Sequence, residues 1–136
     1  MNRILNVVGA GVFLLSASTA QACEILHGWT EMDRARDVPT RILLDLDHDA
    51  VTVGQPFDVR LVICSPDTEA VDRVDVDAIM PLHRHGMNYR PAVRLTAPGA
   101  YTVEGLFFHM PGTWQIVVRA YRGGGSQKFT LDVEAQ

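Results

Sequence analysis

Apolar and polar residues alternate with a period of two along most of the chain from residue 41 onward. In residues 73–80, for example, apolar residues at the even positions alternate with Arg73, Asp75 and Asp77. A period of two is that of a β-strand with one buried face, whereas an amphipathic helix repeats every 3.6 residues or so. The pattern therefore predicts half-buried strands rather than helices.

The alternating runs are short and are separated by turns that contain Gly, Pro, Asp or Asn. The seven predicted strands are 41–46, 56–64, 71–80, 91–96, 101–110, 114–121 and 127–133. Strands of this length at about ten-residue spacing are typical of an all-β fold with two packed sheets. We expect an immunoglobulin-like antiparallel β-sandwich over residues 41–136, formed by one domain.

The N-terminal residues 1–22 have the parts of a cleaved export signal. Arg3 gives a positive start, residues 4–15 are apolar, and Ala20-Gln21-Ala22 has the small-x-small form of a cleavage site. The apolar run is shorter than the roughly 20 residues that a membrane-spanning helix needs. We therefore predict a periplasmic mature chain that begins at Cys23 and has no transmembrane segment.

Residues 23–40 have no clear period, and we expect an N-terminal arm there, or one short helical turn at 31–36. The whole chain has 12 Lys and Arg residues against 16 Asp and Glu residues, which gives a net charge of −4. This balance argues against nucleic acid or an anionic membrane surface as a partner.

The two cysteines, Cys23 and Cys64, are predicted to form a disulfide. An exported chain matures in an oxidising compartment, and an even number of cysteines favours pairing. Two alternatives stay open. Cys23 could be lipidated as a new N-terminus, although Ala20 stands where a leucine-like residue is needed, and Cys64 could be a metal ligand.

Histidine and methionine are concentrated in two short stretches, 80–87 and 109–110. Thioether and imidazole groups together favour copper, Cu(I) above all, over magnesium or calcium, which prefer oxygen ligands. Met80 and Met110 also fit as core residues that continue an apolar strand face, and the histidines as surface loop residues. The predicted copper ligands are His83, His85, Met87 and His109, followed by Met110 and Met80.

A predicted hairpin brings the two stretches together. If strands 91–96 and 101–110 pair about a turn near Pro98, a one-for-one register places Met87 across from His109. The same register places Gly86 across from Met110. A β-bulge at Gly105 would shift the pairing by one residue.

Other metal chemistries fit the sequence less well. A blue-copper centre needs a cysteine thiolate, which Cys64 is not placed to supply. An iron site of the cupin type needs an acidic residue soon after His85, and the next one is Glu104. Zinc hydrolysis needs a general base, for which Glu104 is again the candidate. We therefore do not expect an enzyme.

The histidine and methionine stretches also resemble a known family. The residues that carry the resemblance are Met80-Pro81-x-His83-x-His85-Gly86, Gly99-x-Tyr101 and Gly105-Leu106-x-Phe108-x-Met110-x-Gly112-x-Trp114. They look like the YtkA-like and FixH-like group of small exported or membrane-tethered β-sandwich domains. The resemblance implies a periplasmic or cell-surface domain associated with copper handling or the maturation of copper oxidases. A FixH protein keeps its N-terminal helix as an anchor, whereas this one is predicted to be cut.

The sequence thus predicts a periplasmic copper-binding protein that traffics or buffers copper, or delivers it to a partner protein. Joint replacement of His83 and His85 by alanine should abolish tight Cu(I) binding without unfolding the domain. One alternative is a metal-free interaction module with Met87, Tyr89 and Phe108 as its contact surface. Another is a metal-dependent enzyme that uses Glu104.

Overall fold

A computed structural model describes residues 26–46, 51–66 and 71–136, and all regular structure in these residues is β-strand. The strands are β1 Thr30–Glu31, β2 Asp33–Arg34, β3 Arg41–Leu46, β4 Pro56–Cys64, β5 Arg73–Met80, β6 His85–Gly86, β7 Ala92–Ala97, β8 Ala100–Phe107, β9 Gly112–Arg122 and β10 Gly125–Ala135. In the described ranges there is no helix long and apolar enough to cross a membrane. The predicted export signal, residues 1–22, lies outside the described residues.

The strands form two antiparallel sheets of five, in the orders β1-β3-β4-β8-β7 and β2-β10-β9-β5-β6. Counted along the chain, the long strands give the order first, second, fifth, fourth in one sheet and seventh, sixth, third in the other. This is the arrangement of an immunoglobulin constant-type domain. The predicted immunoglobulin-like antiparallel sandwich is therefore confirmed.

Two of the predicted strands, 41–46 and 56–64, have the observed bounds, and the others differ by a few residues at their ends. The largest difference is in the predicted strand 101–110, because β8 ends at Phe107. Its partner β4 begins at Pro56, directly opposite Phe107. Proline has no N–H to donate to the ladder. One further backbone hydrogen bond, from the Gly54 N–H to the Phe108 carbonyl at 2.8 Å, joins the two segments before residues 109–111 leave the sheet.

Residues 31–36 do not form a helical turn, so that one of the two alternatives for the N-terminal segment was wrong. β1 pairs with β3 in one sheet, and β2 pairs with β10 in the other. Met32, between the two short strands, is 1% exposed, and its N–H donates to the Ile42 carbonyl at 2.9 Å. A single apolar residue among charged neighbours fits an extended chain that enters the core at one point.

An ion-pair cluster links β1 to β3 within its own sheet and to β2 of the other sheet. The Glu31 carboxylate accepts hydrogen bonds from Arg41 at 2.8 Å and from Arg34 of the opposite sheet. The hydrogen bond from Arg41, with support from Arg34, keeps the pKa of Glu31 below its ordinary value despite some opposing desolvation.

We expect Glu31→Gln to lower the free energy of unfolding at neutral pH by at most about 1 kcal/mol, because the pairs are solvent-exposed. A carboxyl whose pKa is lowered by folding stabilises the protein above its unfolded-state pKa, and this contribution is lost as the pH falls through the folded-state pKa. Urea unfolding of both proteins at several pH values measures the difference. A difference that persists in strong acid would mean that the contribution is not ionic.

Cys64 ends β4 and is not a free thiol. Cys23 lies outside the described residues, as does the first part of the predicted arm 23–40. The Cys23–Cys64 disulfide and the lipidation of Cys23 both stay predictions.

Candidate metal site

The two stretches rich in histidine and methionine lie at the same end of the sandwich. The β5–β9 ladder ends with Ile79 opposite Gln115, and the β7–β8 ladder ends with Ala92 opposite Glu104. The turn after β5 and the connection from β8 to β9 therefore emerge side by side. The second of these crosses from one sheet to the other.

A tight turn places His85 on the inner side of its sheet. Met80 and His85 are opposed residues of the β5–β6 hairpin, and the His83 N–H donates to the Met80 carbonyl at 3.1 Å. Opposed residues project to the same face of a sheet. Met80 is 2% exposed and faces the core, so the half-buried His85 side chain projects toward the rim of that core.

His85 meets His109 at this rim. The Nε2 atoms of the two rings lie within hydrogen-bond reach of each other, the ring centroids are 4.5 Å apart, and the rings are inclined by 81°. Such a contact needs one ring nitrogen to donate and the other to accept, so at least one of the two presents a lone pair to the other. Two imidazole nitrogens thus converge on one point.

Trp114 packs against both histidine rings from the core side. It is fully buried, and its ring centroid lies 5.3 Å from that of His109 and 6.1 Å from that of His85. It stacks on Phe108 at 4.6 Å with an interplanar angle of 4°. Its Nε1–H donates to the Met110 carbonyl at 2.9 Å. The indole therefore fixes the connection that carries His109.

Trp114 was not among the residues that the sequence analysis assigned to the site. The signal for it was present, since Gly112-x-Trp114 follows His109 and Met110 closely. A buried indole N–H needs an acceptor, and the irregular chain that precedes a strand supplies free carbonyls. A tryptophan at position 114 is therefore expected beneath the segment that carries His109 and Met110.

The three predicted methionine ligands differ in position. Met80 packs in the core. Its Cε lies so close to the backbone of Gly112 that a Cβ added at Gly112 would be only 3.1 Å from it. Met87 and Met110 are half-buried and pack against the core from its rim. They therefore remain the candidate thioether ligands beside the histidine pair, whereas Met80 has the core position that its strand pattern also allowed.

His83 is set apart from the other two histidines. It is exposed in the turn after β5, and within residues 26–46, 51–66 and 71–136 there is no group of three or more His, Cys, Asp or Glu side chains that could hold a metal ion. His85 and His109 thus form a pair that His83 does not join. Arg84, between His83 and His85, has a φ of 50°, which turns the chain between them.

The predicted hairpin register holds only within the hairpin itself. β7 and β8 pair Val93 with Val103 and Arg94 with Thr102, as a turn near Pro98 requires. The ladder does not continue to Met87 and His109, because residues 85–86 pair with β5 in the other sheet. The bulge expected at Gly105 is found, but as a shift in the β4–β8 pairing.

The structure also bears on the alternative functions, at Phe108, Tyr89 and Glu104. Phe108 is fully buried, so it cannot belong to an exposed contact surface, and that part of the interaction-module hypothesis was wrong. Tyr89 is 44% exposed, donates to the Gly105 carbonyl at 2.5 Å, and has a pKa raised by desolvation. Glu104, the candidate general base, forms an ion pair with Arg94 at 3.0 Å.

Comparisons with known proteins add to the fold but not to the site. No protein-family model matches the chain, and no curated protein matches it. The chain is similar in structure to a DUF4785 family protein from Legionella pneumophila, with a TM-score of 0.53 and 11% sequence identity. The match covers 74% of this chain and 29% of that one. At this identity the likeness concerns the sandwich fold alone.

Proposed function

We propose that the protein is a periplasmic copper-binding protein that holds Cu(I) between His85 and His109 and passes it to, or receives it from, a partner. The observation that supports this is the convergence of the two Nε2 atoms at the rim of the sandwich. Met87 or Met110 would supply a thioether as a further ligand. Copper in this proposal is cargo, so no reaction is required.

The donor set favours Cu(I) over other metal ions. Imidazole and thioether groups suit copper and, as softer ligands, its lower oxidation state. Structural zinc takes four N, S or O ligands in most proteins, and calcium takes six to eight oxygens. In the part of the chain that the structure describes, no carboxylate completes a cluster with the pair.

The position of the pair suits exchange of the metal rather than permanent storage. Both histidines are half-buried, and each lies on a short or irregular segment, β6 or the connection 108–111. Such segments open more readily than the long strands that support them. The resemblance to the YtkA-like and FixH-like group, and the predicted export signal, favour the same role.

Metal analysis of the protein purified from the periplasm tests the proposal. We expect one Cu(I) per chain in a native mass spectrum, and competition with a chromophoric Cu(I) chelator should give a tight, stoichiometric end point. Equal amounts of zinc should not be retained. A chain that leaves all copper with a weak chelator would contradict the proposal and favour the metal-free interaction module. The same spectrum gives the mass of the mature chain and so tests cleavage after Ala22.

A further inference from the structure

Arg84 occupies a backbone conformation that its side chain does not favour. Its φ of 50° is the one positive value at a non-glycine residue in the described ranges. Gly, Asn or Asp is the usual choice there, because a larger side chain crowds the backbone. Arg84 is exposed, and no hydrogen bond or ion pair of its side chain occurs with the described residues. Neither backbone geometry nor packing therefore accounts for an arginine at this turn.

The charge of the neighbouring sequence gives a reason for an arginine at position 84. No Asp or Glu occurs between Asp77 and Glu104, although the whole chain has a net charge of −4. The carboxylates at the two limits are engaged, Asp77 with the Ala78 N–H at 2.8 Å and Glu104 with Arg94 at 3.0 Å. This leaves a stretch of positive charge beside the histidine pair in an acidic protein.

Two arginines of this stretch are exposed and form no ion pair within the described residues. Arg84 directly precedes His85, so their Cα atoms are about 3.8 Å apart. Arg90 follows Tyr89, which is fixed to the Gly105 carbonyl, on the segment that joins β6 to β7. Both therefore lie at the end of the sandwich where His85 meets His109.

We propose that Arg84 and Arg90 select the carriers with which the site exchanges copper, by attracting negatively charged carriers and complexes. This inference rests on the proposed function. It accounts for an arginine in a strained turn beside His85, since backbone outliers of this kind cluster at ligand-binding and other functional sites. The physical effect is electrostatic steering of the encounter, which changes exchange rates more than affinity.

The test is removal of copper from the loaded protein by two chelators that share a phenanthroline core. Bathocuproine disulfonate is dianionic, and neocuproine is neutral. The variant is Arg84→Asn with Arg90→Gln, in which asparagine tolerates the positive φ. At low ionic strength we expect removal by the anionic chelator to slow by roughly three- to tenfold, and removal by neocuproine to stay unchanged. The difference should shrink as salt is added.

A matched control removes the same charge elsewhere. Arg119 and Lys128 are opposed, exposed residues of β9 and β10. Arg119 is five positions along β9 from Trp114, or about 17 Å. Arg119→Gln with Lys128→Gln should leave both rates near those of the unchanged protein.

The outcomes separate the two proposals. If the unchanged protein takes up no Cu(I), the proposed function is wrong and the inference falls with it. If it binds Cu(I) but the Arg84 and Arg90 variant behaves like the control pair, copper binding stands and the selection of anionic carriers is wrong. A slower rate with neocuproine as well would also overturn the inference. It would show that the substitutions alter the copper site itself rather than the electrostatic field around it.

Discussion

Replacement of His109 by alanine is expected to lower the affinity for Cu(I) by at least about 100-fold. In other metal sites, loss of a group that merely orients a ligand costs 10- to 100-fold, so loss of a ligand should cost at least as much. His85→Ala should have an effect of similar size, because the Nε2 atoms of the two residues converge. Anaerobic competition titration with a chromophoric chelator measures both.

His83→Ala is the matched control for these two variants. It removes the same kind of side chain, and does so from the same turn as His85, but His83 is exposed and does not join the pair. We expect a change in affinity of no more than a few-fold, so the effect predicted for joint replacement of His83 and His85 would come from His85. A loss in His83→Ala as large as in His109→Ala would show that copper binds at the turn instead. Circular dichroism of each variant checks that the sandwich is intact.

The second large effect is expected at Trp114, where alanine should lower the free energy of unfolding by about 3–5 kcal/mol, as for other large aromatic core residues. The indole is fully buried, stacks on Phe108 and donates to the Met110 carbonyl. Urea unfolding at neutral pH measures the loss. Copper affinity should fall as well, because the connection that carries His109 loses its support.

Two further substitutions separate packing from the hydrogen bond. Trp114→Phe keeps a ring in place over Phe108 but removes the N–H donor, and we expect a smaller loss, about 1–3 kcal/mol. Trp29→Ala removes the other tryptophan, which is half-buried under the Arg60 guanidinium at 5.5 Å from the ring centroid. It should cost about 1 kcal/mol or less. Equal losses at Trp29 and Trp114 would contradict the central role of Trp114.

The sandwich itself could be predicted from the sequence because its strands have one buried face. Alternation in residues 73–80 correctly indicated β5 and also favoured Met80 as a core residue. The turn near Pro98 correctly indicated the β7–β8 register. These features depend on local periodicity and turn chemistry, which a single sequence contains.

The contact between His85 and His109 depends on features that periodicity does not reveal. His85 lies on β6, a strand of two residues that is too short to show a period. His109 lies just beyond the end of the β4–β8 ladder, whose last pair is Pro56 with Phe107, so its position depends on the neighbouring strand as well as on its own. The sequence therefore placed the two stretches near each other through a hairpin register that does not extend to Met87 and His109 in the structure.

The same limit applies to His83 and His85. Residues two apart would project to the same side of a regular strand, and the sequence treated them as equivalent ligands. The left-handed conformation of Arg84 breaks that equivalence by turning the chain between them. Arginine gives little indication of such a conformation, so only the folded chain shows which histidine is directed inward.

The separation of His85 and His109 along the chain has a mechanical consequence. The two residues are 24 positions apart, one on an edge strand and the other on the link between the sheets. An ion bound to both rings would be a reversible cross-link between residues 85 and 109. It would join the short edge strand β6 to the connection 108–111 that packs on Trp114. Loading and release of the cargo would then tighten and loosen one end of the domain while the long strands stay as they are.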